Sequence, residues 1–208
     1  MALSTFVIVN GVNNLSDARY CAGMGVDLIG FSLEKDRPGF VSPEDFKDIA
    51  GWVSGVLLVG EFASSSAEEI NEAAQAYPLD FVQLNNLYLI HELQEIRLPI
   101  IQRLLINKDT IASELLDLME LYQEDVKYFL IASHDFDTID DTNENFLGDL
   151  ARLYPLLIGF GVTKDNVRHI LNSIQPEGIG LTGGDEIKPG LKDFDKLQDI
   201  FDVLEVEE

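Results

Sequence analysis

A chain of 208 residues with 46% hydrophobic content is long enough to fold as one domain around a sizeable core. Its net charge of −23 speaks against nucleic acid and anionic membrane surfaces, both of which select basic patches. One cysteine, Cys21, excludes an internal disulfide framework and a cysteine metal cluster, and the lack of a ~20-residue apolar span or a basic-then-apolar leader points to the cytoplasm.

Short apolar runs recur along the chain with helical patterns between them. Residues 5–9 form the first run, followed by a helical pattern over 16–23 and a second run at 27–32. A helix over 43–53 opens on Ser42-Pro43-Glu44, which places a hydroxyl at the cap and a proline just inside it. Strands at 55–61 and 80–84 flank a helix over 66–77, and a fifth strand follows at 99–103. The second half continues with a helix at 113–122, a strand at 127–132 and a helix at 144–154. A strand at 156–160, a helix at 164–173 opening on Thr163, a strand at 178–182 and a helix at 193–203 complete the pattern. Eight strand–helix units of roughly 26 residues each predict a single-domain α/β fold, the (β/α)₈ TIM barrel spanning 1–208. An open doubly wound sheet is the alternative. It normally carries a glycine-rich turn after the first strand, and Asn10-Gly11-Val12-Asn13-Asn14 is a poor one.

In a barrel, function sits at the C-terminal strand ends. Two glycine clusters fall there, Gly159-Phe160-Gly161 after the seventh strand and Thr182-Gly183-Gly184 after the eighth. Backbone N–H groups beside such glycines, with a helix start just beyond near Lys192-Asp193, make a phosphate cradle that needs no basic side chain. The expected partner is therefore a phosphorylated small molecule, held by a monomer or a homodimer. No His/Asp/Glu spacing suggests a metal, and no cofactor is expected. Cys21, His91 and His169 lie in helical patterns away from the strand ends, whereas His134-Asp135 follows the sixth strand directly.

Several blocks resemble phosphoribosylanthranilate isomerase, the barrel enzyme of tryptophan biosynthesis, from Val7 to Phe201. They are Asp17-Ala18, Gly25-Val26-Asp27-Leu28-Ile29-Gly30-Phe31, Phe40-Val41-Ser42-Pro43, Asp80-Phe81-Val82-Gln83-Leu84, Asp165-Asn166-Val167 and Pro189-Gly190-Leu191-Lys192-Asp193. The family patterns are GADAIGF, YVSP, LDxVQLHG, a Pro/Glu-Asn-Val helix start and PGxKD. The resemblance implies an Amadori rearrangement, in which an aminoaldose opens and becomes an aminoketose. It implies a cysteine base on the first strand and an aspartate acid ending the sixth.

Both groups are replaced here. Asn10 stands at the cysteine position, and Ala132 or Ser133 at the aspartate position. The arginine of the family's SPRYVSP loop has become Gly39, with Arg37 displaced by two; the histidine of VQLHG has become Asn85; and the KA-type block on the fifth strand reads Gln102-Arg103. GVDVSSG has become Gly178-Ile179-Gly180-Leu181-Thr182-Gly183-Gly184, without its aspartate. An amide cannot take a carbon proton, and a positioned acid or base contributes about 10²–10⁴-fold. The expected function is a barrel that binds a phosphorylated small molecule with the standard isomerisation lost or altered. The alternatives are a working isomerase with His134 or Asp135 as substitutes, and a non-catalytic interaction or regulatory barrel. Candidate ligand contacts are Arg37, Gln83, Asn85 and Gln102.

Overall fold

The computed structural model describes residues 2–183 and 194–206, together with the backbone of 186–188 and 191–192. Eight parallel strands close into a barrel in sequence order, and the last pairs with the first. They are β1 (Phe6–Asn10), β2 (Leu28–Ser32), β3 (Leu57–Phe62) and β4 (Phe81–Leu84). The second half supplies β5 (Ile100–Ile106), β6 (Tyr128–Ser133), β7 (Leu156–Ile158) and β8 (Gly178–Thr182). The barrel prediction is correct and the open sheet is excluded.

The helices follow the strands in alternation: α1 (Leu15–Gly23), α2 (Pro43–Ala50), α3 (Ala67–Ala76), α4 (Ile90–Glu95), α5 (Ala112–Tyr122), α6 (Asp141–Leu153), α7 (Val167–Ser173) and α8 (Asp195–Leu204). Several starts are fixed by side chains, as the sequence signals predict for α2, whereas α7 starts at Val167 rather than just after Thr163 and has no side-chain cap. Asn14 Oδ1 accepts from Asp17 N at 2.9 Å, and Asp140 Oδ1 accepts from Thr142 N at 2.9 Å. At α3, Ser66 and Glu69 form a reciprocal capping box. Helix α4 has too few residues for a periodic signal and was absent from the sequence reading; Leu89 N donates to Glu92 Oε2 at 2.7 Å to start it. A second difference follows β8, where a small antiparallel hairpin of β9 (Glu186–Lys188) and β10 (Leu191–Lys192) takes in Lys192, and the helix expected to open near Lys192-Asp193 begins at Asp195.

The core has two layers. Between strands and helices lie large buried side chains such as Phe31, Phe46, Phe62, Phe129 and Phe201. Helix α8 shows why a helix packs here: Leu197, Ile200, Phe201 and Leu204 are spaced to one face, and all are buried. Inside the barrel, Ile8, Leu28, Val59, Ile101, Leu130 and Leu157 form a separate cluster. Phe6 and Phe81 close the lower end against Tyr128, at ring distances of 5.2 and 6.1 Å. The chain's ends meet beside the β1–β8 seam, where Ser4 N donates to Leu204 O at 2.8 Å and Leu3 bridges Glu205.

Candidate active site at the barrel mouth

Side chains alternate in and out along a strand, so the interior cluster fixes which neighbours face the mouth. One step of two beyond Ile8, Ile101 and Leu157 come Asn10, Arg103 and Gly159. The same step from Leu28, Val59 and Leu130 gives Gly30, Glu61 and Ala132, while β4 contributes Gln83 and β8 contributes Gly180. The ring is lopsided. From β1 to β5 it is mostly polar or charged; from β6 to β8 it is Ala, Gly, Gly.

Over the polar side lies a cavity of about 340 Å³, lined among others by Gly11, Glu34, Arg37, Glu61, Asn85 and Arg103. Glu61 Oε1 accepts from Gly11 N at 2.8 Å. It also crowds Gly30: a Cβ there would stand 2.5 Å from Glu61 Oε1 and 2.6 Å from Asn10 Oδ1. The bare glycine of β2 therefore makes room for both oxygens. Burial pushes the Arg103 guanidinium below its usual range, and the negative charge of Glu61 partly restores it. The lower floor is amide-rich. Gln83 Nε2 donates to Asn85 Oδ1 at 3.0 Å, while Asn10 Oδ1 and Gln83 Oε1 are buried without a donor among the described residues.

The rim of this cavity is tied down by side chains. Glu34 Oε1 accepts from the backbones of Ser64 and Ser65 at 2.7 and 2.8 Å and from the Ser65 hydroxyl at 2.8 Å. Burial raises the Glu34 carboxyl, but its hydrogen bonds from residues 63–65 outweigh that and hold it below its ordinary value. Arg37 Nε lies 3.5 Å from Glu34 Oε2, and the Arg37 side chain is half exposed above the cavity.

Over the bare side lies a second cavity of about 220 Å³, lined by Gly159, Phe160, Gly161, Gly180, Thr182 and Lys196 among others. Gly161 has φ +66°, and a Cβ on it would stand 3.0 Å from Ile139 N, so only glycine fits both the conformation and the space. Helix α8 begins here with no side-chain cap at Phe194. Its first backbone N–H groups and Lys196 offer positive charge to an anion. The two cavities adjoin: a Cβ on Gly11 would be 3.9 Å from Thr182 Cγ2.

Of the residues singled out in the sequence, Arg37 and Asn85 line the polar cavity, and Gly159, Phe160, Gly161 and Thr182 line the bare one. Gly183 N already donates to Asn10 O at 3.0 Å, and Gly184 lies outside the described residues. Gln83 sits beneath Asn85 rather than in the cavity. Gln102 faces the helices, fully buried, with Nε2 donating to Leu84 O and Asn86 O at 3.2 and 3.1 Å; it braces the loop after β4 and lines neither cavity. Ala132 is buried in the ring, and Ser133 Oγ donates to Ile106 O. His134 and Asp135 are exposed and line neither cavity; Asp135 Oδ2 accepts from Lys108 N, in the loop after β5, at 3.3 Å.

Three site residues escaped the sequence reading. Glu61 and Arg103 are ionisable side chains at the ends of apolar strands, and strand parity pointed both inward. Lys196 sits in the first turn of the last helix, so the glycine-lined cavity has a basic side chain beside it. Among the described residues no cluster of His, Cys, Asp and Glu is placed to hold a metal, and no helix is long and apolar enough to cross a membrane.

Residues 7–203 match the family model described as N-(5'-phosphoribosyl)anthranilate (PRA) isomerase. The N-(5'-phosphoribosyl)anthranilate isomerase of Geobacter metallireducens is 28% identical over 203 residues, covering 93% of this chain and 95% of that protein. The crystal structure of the Thermotoga maritima phosphoribosyl anthranilate isomerase superposes with a TM-score of 0.80 at 23% identity, over 96% of this chain and 98% of that one. A further isomerase structure, in complex with reduced 1-(o-carboxyphenylamino)-1-deoxyribulose 5-phosphate, gives a TM-score of 0.78 at 24% identity with the same coverage.

Proposed function

Because the chain belongs to the N-(5'-phosphoribosyl)anthranilate isomerase family, we propose that it isomerises a phosphorylated aminoaldose of that kind with a rebuilt set of mouth residues. The observation that carries this reading is the adjacency of two unlike cavities on the strand ends, one bare and glycine-lined, the other charged. The first suits a phosphate, received by the start of α8, Lys196 and the close backbone at Gly159 and Gly161. The second suits the rest of the ligand, with Arg103 and Arg37 available to a carboxylate and Glu61 to the reacting sugar. The ligand would cross between them at Gly11 and Thr182.

A second reading, binding without turnover, is favoured by Asn10 and Ala132, which stand where the resemblance implies the base and the acid. One experiment separates the two. Purified protein is mixed with freshly generated phosphoribosylanthranilate and the loss of its fluorescence followed, while a reduced product analogue is titrated at equilibrium. Turnover well above the uncatalysed background supports the isomerase. Tight binding of the analogue with background turnover establishes the second reading. Absence of both leaves the family's fold with neither function.

A further inference from the structure

We propose that Glu61 is the proton-transfer group of this site, taking over from the position occupied by Asn10. The proposal rests on the isomerase reading and adds the residue that performs it. The two side chains are neighbours across a single glycine: the point where a Gly30 Cβ would stand is 2.5 Å from Glu61 Oε1 and 2.6 Å from Asn10 Oδ1. A carboxylate on β3 thus reaches the part of the mouth served from the end of β1. Its direction is set by the 2.8 Å bond from Gly11 N, which orients Oε1 toward β1. Arg103, facing the same cavity from β5, supplies the opposite charge.

The step balances as follows. As the sugar ring opens, the nitrogen lone pair forms a C=N bond to the first carbon, the bond from that carbon to the ring oxygen breaks, and the oxygen takes a proton from solvent. The Glu61 carboxylate then removes the proton from the second carbon. The electrons of that C–H bond become the double bond between the first and second carbons, and the C=N pair returns to nitrogen. Glu61 delivers the proton it holds to the first carbon and returns to carboxylate, while the second carbon's hydroxyl loses its proton to solvent, giving the ketone and replacing the proton taken by the ring oxygen. No oxidant or reductant enters, and one carboxyl group can serve both directions of proton transfer.

Gly30 is a positioning residue in this scheme. A methyl there would meet two flexible side-chain ends first, with the Asn10 Cα at 3.3 Å as its backbone contact, so the fold should survive while Glu61 moves.

The test compares Glu61→Gln, Glu61→Asp and Gly30→Ala with the parent protein in turnover and in binding of the reduced product analogue. Glu61→Gln keeps an oxygen for Gly11 N–H, so the backbone stays in place. Its kcat should fall by about 10²-fold or more, its affinity for the analogue should stay within about threefold, and the acid limb of the kcat/KM profile should vanish. Glu61→Asp should restore part of kcat with that limb, and Gly30→Ala should lower kcat with little change in KM. Turnover by the parent protein that Glu61→Gln leaves within about threefold, with its pH profile unaltered, overturns the role of Glu61 and leaves the isomerase reading intact. Background turnover by a parent protein that binds the analogue overturns both. If Glu61→Gln does not fold, the Asp and Gly30→Ala variants decide on the same criteria.

Discussion

The two halves of the barrel mouth are built by different means. From β6 to β8 the wall is made by backbones and small residues approaching one another: Gly159 and Gly180 leave space that Leu130 fills, and Gly161 lies against residues 138–139. From β1 to β5 the loops are held by side chains. Glu34 grips Ser64 and Ser65, Tyr88 and Asn86 donate to the carbonyls of Ser65 and Ala63, and Gln102 supports Asn86. A wall of close backbones admits almost no new side chain, so it suits a fixed anchor. A wall of hydrogen-bonded side chains can exchange its members, and there Glu61 and Arg103 appear beside Asn10.

Substitutions should separate the halves, with the largest stability effects on the glycine side. Gly178→Ala, on the same β8 but at the barrel's lower end, puts a methyl onto the Phe6 carbonyl, a backbone atom on the β1–β8 seam. We expect a loss of about 3 kcal/mol or more in a denaturant midpoint measurement, at the upper end of overpacking costs. Gly180→Ala meets Leu130 Cδ1 at 2.5 Å, the end of a side chain, and should cost about 1–3 kcal/mol. Trimming that partner in Leu130→Val should recover part of it, read as a favourable coupling in a double-mutant cycle. A pair that simply adds would show that Leu130 does not fill the space left by Gly180.

On the polar side the effect should move to the ligand. Arg103→Met should weaken a carboxylate-bearing analogue by about tenfold while inorganic phosphate competes as before, and Lys196→Ala should show the converse. Equal loss of both ligands in either variant would erase the distinction.

The smallest effect is pH dependence. Burial, followed by the charges of Glu34, Glu92 and Glu69, pushes the Tyr88 hydroxyl up to about 12, and burial also raises the other five tyrosines. A raised folded value favours the neutral phenol, so this stability is complete below pH ~10 and is lost as pH climbs toward ~12. Tyrosinate absorbance should therefore appear together with loss of circular dichroism rather than before it. Glu34 works in the opposite sense. Its depressed carboxyl stabilises above the ordinary range and is lost as pH falls through its lowered value, loosening the polar rim first.

The barrel was legible because eight apolar runs alternate with helical patterns at an even spacing. Its glycine-lined cavity was legible too, since Gly159, Gly161 and Thr182 stand at recognisable strand ends. Strand limits were less so. The fifth run was ended at Arg103, but β5 continues to Ile106, and that extension buries Gln102 against the helices while Arg103 turns inward. Asn10, Gln102 and Ala132 stand at strand ends where the family resemblance names functional residues, so they are legible in the sequence. Glu61 is not legible in that way: its place at the site comes from β1, β2 and β3 meeting at Gly30, a relation between strands that no spacing along one strand reveals.

The seam between β1 and β8 also sets the order in which the molecule can form. Phe6 must find Gly178 and Asn10 must find Thr182, contacts as distant along the chain as the barrel allows, and the Leu3–Glu205 bridge lies beyond them. Every other strand pairs with its predecessor after one helix. Assembly can therefore proceed by successive local additions until the final ring closure, which carries the greatest loop entropy. The polar side, carried by β1 to β5, can be in place before that event, whereas the junction of the two cavities at Gly11 and Thr182 waits for it.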